Sequence, residues 1–533
     1  MTFDFDFVIV GSGFGGSVSA LRLVEKGYSV AVLEMGKRWT KDDFPETTWS
    51  VRKYLWRPWL GMYGLLQMTL VKDAFFLHGA GVGGGSLIYA NTLLVPPDEA
   101  FKDARWIGQD WKKALEPHYA MAKKMLGVTE SAVVVETDRM LKEVADEMGR
   151  GHTWKKADVG VYFGEPGVTV KDPFFGGEGP DRTGCIMCGG CMVGCRHGAK
   201  NTLDQNYLYL AEKRGLVIQP ESRVIDVRPL EGGGYELTIE NSVGFFKKRR
   251  TLRARGVVVS AGSYGSVNLL MRCKESGSLA KLSDQLGRYL RTNSEAILSV
   301  RSGRPDVDYS KGIAITSGVF VDDQTHIEVV RYSKGSDALA PLVTVLTDGG
   351  GWLPRPIRWL GTIIRHPLQF LRSIVPFGWA QKAAILLVMQ PVDNHLRYTL
   401  KRRWYAPWSK KLDSAPGGGT PAPTFIPIAN LVAKKMAKKM NGTPQSGLFE
   451  VLLNKASTAH ILGGCPIGAD ANDGVVDTQS RAYGYDDLYI VDGSIIPANL
   501  GVNPSLTITA MAEHAMSKMP KRSERTEGVW SAS

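Results

Sequence analysis

The stretch DFVIVGSGFGGSVSALRLVEKGYSVAVLEMG, residues 6–36, holds four features in the order that one particular supersecondary unit requires. An apolar run, Phe7 to Val10, leads into Gly11, Gly13 and Gly16 at G-x-G-x-x-G spacing, an amphipathic segment follows, and a second apolar run, Val30 to Leu33, ends on Glu34. Each part does something physical. The glycines permit a tight turn and close backbone approach, the helix N-terminus faces a pyrophosphate, and the acid accepts hydrogen bonds from a ribose hydroxyl. A strand, helix and strand with this turn between them predict a dinucleotide-binding α/β unit that opens a doubly wound sheet.

The chain around this unit has 533 residues, 44% hydrophobic and 22% charged, enough for a large core and for roughly two to four domains by length. The longest uninterrupted apolar run, Ala383 to Met389, falls far short of the roughly 20 residues that span a bilayer. No transmembrane helix is expected. The first strand begins too early for a charged and apolar leader to precede it, so the expected location is the cytoplasm. A reducing compartment disfavours disulfides, which leaves the six cysteines as free thiols or metal ligands.

Three later segments decide which dinucleotide is bound. FFLHGAGVGGGSLIYANTLL (75–94), VVVSAGSYGSVNLLMRC (257–273) and the stretch from STAHILGGCPIG to GVNPSLTITAMAEHAM (457–516) resemble the glucose-methanol-choline (GMC) flavoprotein family, and within it the cholesterol oxidase branch. The resemblance is strongest over the nucleotide-binding parts and weak from about 301 to 455. It implies an FAD-binding Rossmann-like domain built from 1–95, 186–300 and 456–518 and an inserted α+β substrate domain from 96–185 and 301–455; the polar composition of 519–533 predicts a mobile tail. It also implies roles. Gly11, Gly13, Gly16 and Glu34 match the ADP-binding unit; Gly81, Gly83, Gly84, Ser86 and Asn91 match the Gly-rich stretch beside the flavin. Val224 fits the strand whose backbone meets adenine, Ala261 and Gly262 the turn near the pyrophosphate, and Asp492 with Gly493 the second FAD-contacting turn. His460, with Ile461 in place of the family's proline, and Asn503 match the active-site pair. The branch also uses a glutamate in the substrate domain, for which Glu328 is the nearest candidate.

The pair makes chemical sense apart from the resemblance. Oxidising an alcohol requires the hydroxyl to lose a proton while the carbinol hydrogen leaves as hydride. A histidine titrating near 6.5 can take that proton, and an amide can hold the oxygen without competing for it. The activity expected is FAD-dependent oxidation of a bulky apolar alcohol, sterols favoured, with a long-chain alcohol oxidase or dehydrogenase, or an electron-transfer flavoprotein, as the alternatives.

Two features lie outside this chemistry. GCIMCGGCMVGC (184–195) spaces Cys185, Cys188, Cys191 and Cys195 as C-x2-C-x2-C-x3-C, the run that holds iron-sulfur clusters in bacterial ferredoxins. Iron-sulfur, zinc and unligated thiols all remain open, with Cys273 and Cys465 as the spare thiolates; a cluster would carry electrons to an external acceptor. The formal charge is +12, and part of the excess falls in RPIRWLGTIIRHPLQFLRSIVPFGW (355–379). There Ile357, Leu360, Ile364, Leu368, Leu371 and Val375 recur at helical spacing and Arg358, Arg365 and Arg372 every seven residues, with a break at Pro367. Trp352, Trp359, Phe370, Phe377 and Trp379 add aromatic bulk. Such a segment suits a helix lying in a membrane interface, peripheral at the inner face, and YLWRPWLGMYGLLQMTL (54–70) has the same character. The other reading is a core helix with snorkelling arginines. Basic residues interleaved with large aliphatics, and no binding module, argue against nucleic acid.

Overall fold

The structure is a computed structural model that describes residues 2–244, 246–403, 406–526 and 528–530. Two large sheets organise it. The first contains β1 (Phe5–Val10), β2 (Val30–Leu33), β3 (Val217–Gln219), β4 (Ser222–Pro229), β5 (Tyr235–Asn241), β6 (Arg249–Val259) and β7 (Leu488–Ile490), with spatial order β3-β2-β1-β6-β5-β4. All four residues of β2 are buried, as are the last four of β1, the continuous apolar pattern of strands covered on both faces. The helix α1 (Phe14–Glu25) makes the crossover between them.

β6 changes partners along its length. Its first half pairs antiparallel with β5, Glu240 opposite Arg249 and Tyr235 opposite Ala254. Its second half pairs parallel with β7, Val257 opposite Leu488 and Val259 opposite Ile490, while β1 runs parallel on its other side. The C-terminal ends of β1, β2, β6 and β7 therefore emerge at one edge, and the residues that follow them, Gly11, Glu34, Ser260 and Val491, meet there. This is where open α/β sheets bind ligands.

The second sheet is antiparallel, in the order Val343–Val345, Thr443–Gly447, Ala296–Arg301, Ala383–Met389, His326–Val330, Ile315–Phe320 and Lys155–Lys156. Period-two alternation divides its faces. Ala384, Leu386 and Val388 pack with residues of the helices Glu136–Glu147 and Pro427–Lys439, whereas Ile385, Leu387 and Met389 join a separate core on the opposite face. Ala296–Arg301, which the sequence division left with the first sheet, is an inner strand of the second.

The tail is anchored rather than mobile over its described part. Trp530 is buried, its Nε1 donates to Asp487 Oδ2 (2.7 Å), Arg525 pairs with Asp487 Oδ1 (2.7 Å), and the Arg525 guanidinium lies 4.4 Å from the Trp530 ring centroid. Polarity suggested solvent; the aromatic ring and the ion pair pin the segment instead.

Candidate functional site

A cavity of about 1160 Å³ runs from the C-terminal edge of the first sheet to the inner face of the second. At its first-sheet end the glycines fall into two kinds. A Cβ on Gly11, where φ is +97°, would lie 2.4 Å from Ser260 O, and one on Gly16 would lie 2.1 Å from Gly11 O, so both positions hold strand and helix together. A Cβ on Gly13, at the N-terminus of α1, would meet nothing within 4 Å; it would occupy the cavity where the helix presents its free N–H groups. Glu34 is buried, and burial raises its pKa against the bonds donated to it by Ser12 and the backbone of Gly36, Ser12 and Gly81. Ser12 Oγ donates to Glu34 Oε2 (2.7 Å) and accepts from Gly83 N (3.1 Å), tying both Gly-rich loops to the acid.

Of the residues expected to hold the nucleotide, Gly11, Gly13, Glu34, Gly84, Val224, Ala261, Gly262, Asp492 and Gly493 line the cavity. Gly16, Gly81, Gly83, Ser86 and Asn91 do not; they stand one layer behind it. Ser86 Oγ, for example, donates to Gly83 O and accepts from Leu203 N, fixing the turn from inside. An open glycine at a helix N-terminus, two buried acids and an elongated cavity larger than the about 300–1,000 Å³ of ordinary ligand pockets suit a dinucleotide with room for a substrate beyond it.

The far end gathers His460 and Asn503 with two buried carboxylates. Glu328 sits on the strand His326–Val330, all five residues of which are buried. Ile327 and Val329 face the helices, so Glu328 shares the opposite face with Val330, which lines the cavity. Asn503 Nδ2 donates to Glu328 Oε2 (3.1 Å). Glu328 Oε1 and Asn503 Oδ1 have no hydrogen-bond partner among the described residues. Burial pushes the Glu328 pKa up to about 7, with the Asn503 bond and the charge of His460 pulling the other way.

Sequence reasoning missed the second carboxylate. Glu295, just before the strand Ala296–Arg301, puts Oε2 2.9 Å from His460 Nδ1, a close ionic contact off the hydrogen-bond axis. Glu295 also accepts from Thr458 Oγ1 (2.8 Å) and Ala459 N (3.2 Å), so it holds the segment that carries His460. Burial alone would lower the histidine's pKa, but the charge and contact of Glu295, and then the charge of Glu328, raise it. With Nδ1 turned to Glu295, Nε2 is left for a ligand, the division of labour by which a carboxylate orients an imidazole base. The walls here are apolar and aromatic: Trp56, Tyr332, Trp379, Ile385 and Leu387 line the cavity.

The four clustered cysteines line a second, smaller cavity of about 130 Å³, beside the large one. All six cysteines are free, and burial pushes the Cys185 thiol up to about 12. Among the described residues, no three His, Cys, Asp or Glu side chains are gathered as a single metal ion requires, which speaks against zinc.

The 352–379 segment forms two helices, Arg355–Arg365 and Pro367–Ile374, parted at His366 before Pro367; both pack on the strand Val343–Val345, whose first residue lines the large cavity. The aliphatic stripe faces outward: Ile364 is 80% exposed and Leu368 69%, with Ile357, Leu360, Leu371 and Val375 exposed beside them. The aromatic residues divide. Trp352 and Phe377 are exposed, whereas Trp379 is buried and Trp359 donates to Thr344 Oγ1 (2.9 Å) with Phe370 edge-on against it. Trp49 stacks on Phe377, and Trp59 of the early segment, 79% exposed, lines the cavity. Among the described residues no helix is long and apolar enough to cross a membrane.

Comparison with known proteins gives this arrangement relatives. Residues 179–290 and 425–512 match the GMC oxidoreductase family, and residues 9–40 match the NAD(P)-binding Rossmann-like domain. A cholesterol oxidase of Acinetobacter baumannii is 48% identical over 531 residues, covering 98% of this chain and 95% of its own. A cholesterol oxidase of Mycobacterium tuberculosis is 47% identical over 539 residues, covering 98% and 92%. Among solved structures, pyridoxine 4-oxidase from Mesorbium loti superposes with a TM-score of 0.64 at 16% identity, over 96% of this chain and 98% of its own, a likeness of fold alone.

Proposed function

The chain belongs to the GMC oxidoreductase family, in its cholesterol oxidase-like branch, and we propose that it oxidises the secondary hydroxyl of a sterol-type alcohol to the ketone with FAD as its cofactor. The observation that carries this reading is the pairing of a buried His460–Glu295 and Asn503–Glu328 group with an apolar, aromatic-walled cavity that continues into a nucleotide cradle. FAD, when bound, supplies the acceptor for the carbinol hydride. The protein's part is the proton and the geometry. His460 takes the hydroxyl proton at Nε2, while Glu295 fixes the ring and stabilises the imidazolium that forms. Asn503 donates one Nδ2 hydrogen to Glu328 and has its second to offer the hydroxyl oxygen, which it orients without competing for the proton. Val330, Tyr332 and Leu387 receive the hydrocarbon skeleton and exclude water.

The helix pair extends the proposal to where the substrate is met. Exposed aliphatic side chains flanked by the exposed Arg365 and Arg372, on helices packed against the cavity-lining strand Val343–Val345, have the make-up of a surface that lies on an anionic bilayer and takes its substrate from the lipid. Extended exposed apolar surface on a soluble chain is unusual without a partner.

Product formation tests the activity. Purified holoprotein given a 3β-hydroxysterol in detergent should form the ketone. A long-chain primary alcohol of equal carbon number should react more slowly; the reverse preference would favour the long-chain alcohol reading, and turnover of neither would refute both.

A further inference from the structure

Alcohol oxidation leaves the 184–195 cysteine run unused. Tight backbone packing shapes this loop: a Cβ on Gly189, φ +70°, would lie 2.0 Å from Ser310 O, and one on Gly194, φ +89°, 2.1 Å from Phe44 Cδ1. The loop is thereby folded so that Cys185, Cys188, Cys191 and Cys195 all line the same cavity of about 130 Å³, close to the about 150 Å³ that accommodates benzene. A mononuclear zinc site would draw its thiolates to one point at about 2.3 Å, and no such convergence exists among the described residues. In an iron-sulfur cluster each cysteine takes its own iron, so the thiolates surround a volume. All four cysteines line this one cavity.

Its surroundings suit an anionic guest. Lys200 is buried, lines the cavity, and donates to Leu87 O (3.0 Å) and Cys191 O (2.8 Å). Asn91 is fully buried beside the Cys191 thiol, and neither atom of its amide has another partner among the described residues. An amide donor beside a cluster sulfur tunes its reduction potential. The position is as telling. Met192 lines the large cavity while its neighbours Cys191 and Val193 line the small one, so a single residue of chain separates them. On the far side Cys188 is exposed.

We infer that Cys185, Cys188, Cys191 and Cys195 hold an iron-sulfur cluster that carries electrons from the reduced cofactor to a one-electron oxidant at the protein surface. Reoxidation of reduced FAD releases two protons and two electrons, and the electrons leave singly to two molecules of a ferric haem protein or similar acceptor. The cluster stands on its own observations; only its electron-transfer role rests on the flavin reading.

Protein purified without oxygen tests this through iron, acid-labile sulfide, zinc and FAD analysis. Between about two and four irons per chain, matched by sulfide, and an electron paramagnetic resonance signal on reduction are expected. Stoichiometric FAD with neither iron nor sulfide, or with one zinc per chain, would overturn the inference. Cys188→Ser should lose most of its iron yet keep FAD and its bleaching by alcohol, while ferricyanide-coupled turnover falls at least tenfold. Unchanged ferricyanide turnover in an iron-depleted variant would refute the electron route. Should that variant fail to bind FAD, the wild-type metal analysis still decides. A cluster in protein whose flavin no alcohol bleaches would refute the alcohol reading and leave the site standing.

Discussion

Beside the active-site end of the large cavity Glu295 and Glu328 are 1% and 0% exposed, whereas on the surface helix pair Ile364 and Leu368 are 80% and 69% exposed. The two regions invert the ordinary distribution of charge and hydrocarbon in opposite senses. A buried carboxylate without a cation or a full set of donors is costly, and an exposed aliphatic stripe forgoes the burial that stabilises a fold. Neither arrangement follows from stability alone. What they share is suitability for an apolar alcohol: one is a surface that can lie on lipid, the other a set of groups that can take a proton and orient the hydroxyl.

The comparison can be broken first at the buried end. Glu295→Gln should leave FAD bound but slow flavin reduction about 100-fold or more, because the amide no longer fixes the His460 tautomer or balances the imidazolium. A rate within a few-fold of wild type would make Glu295 a merely structural acid. At the exposed end, Arg365→Glu with Arg372→Glu should weaken binding to anionic vesicles roughly 30-fold or more, at about 1 kcal/mol for each basic residue near the surface, with turnover of a detergent-dispersed analogue unchanged. Equal loss on both substrates would return the helices to an ordinary packing role.

A third effect concerns stability rather than rate or binding. Glu328 titrates at about 7 in the fold against an ordinary 4.5. Because the folded state holds this proton more tightly, the associated stability is present below pH 4.5 and lost as pH rises through about 7. Its carboxylate therefore costs on the order of 3 kcal/mol at pH 9. Glu328→Gln should melt a few degrees above wild type at pH 9, a gap that narrows toward pH 5, by scanning calorimetry. A variant that melts lower at pH 9 would mean that the carboxylate is stabilised by contacts that the amide cannot replace.

What could be read from the chain beforehand depends on how local the relevant physics is. The unit from Phe7 to Glu34 was legible because strand, turn, helix and acid follow one another and each leaves its own spacing. The break before Pro367 was legible for the same reason, since a proline inside a helical pattern removes an N–H donor at a known place. Glu328 was suggested only by resemblance to the branch, because its bond to Asn503 joins residues far apart in the chain. Glu295 left no signal: it lies in RTNSEAIL, an unremarkable run, and reaches His460 only through the meeting of the two sheets. The split among the aromatic residues, with Trp379 inside and Trp352 outside, depends likewise on packing against distant strands, which helical periodicity does not record.

The most direct test is anaerobic stopped-flow reduction of the flavin by a saturating sterol alcohol, in wild type and in His460→Ala matched for FAD content. Loss of the base should slow bleaching by about 100-fold or more while the flavin spectrum and FAD affinity stay as in wild type. Bleaching of the variant at near the wild-type rate would contradict the assignment of the proton to His460 and, with it, the chemistry proposed for this end of the cavity.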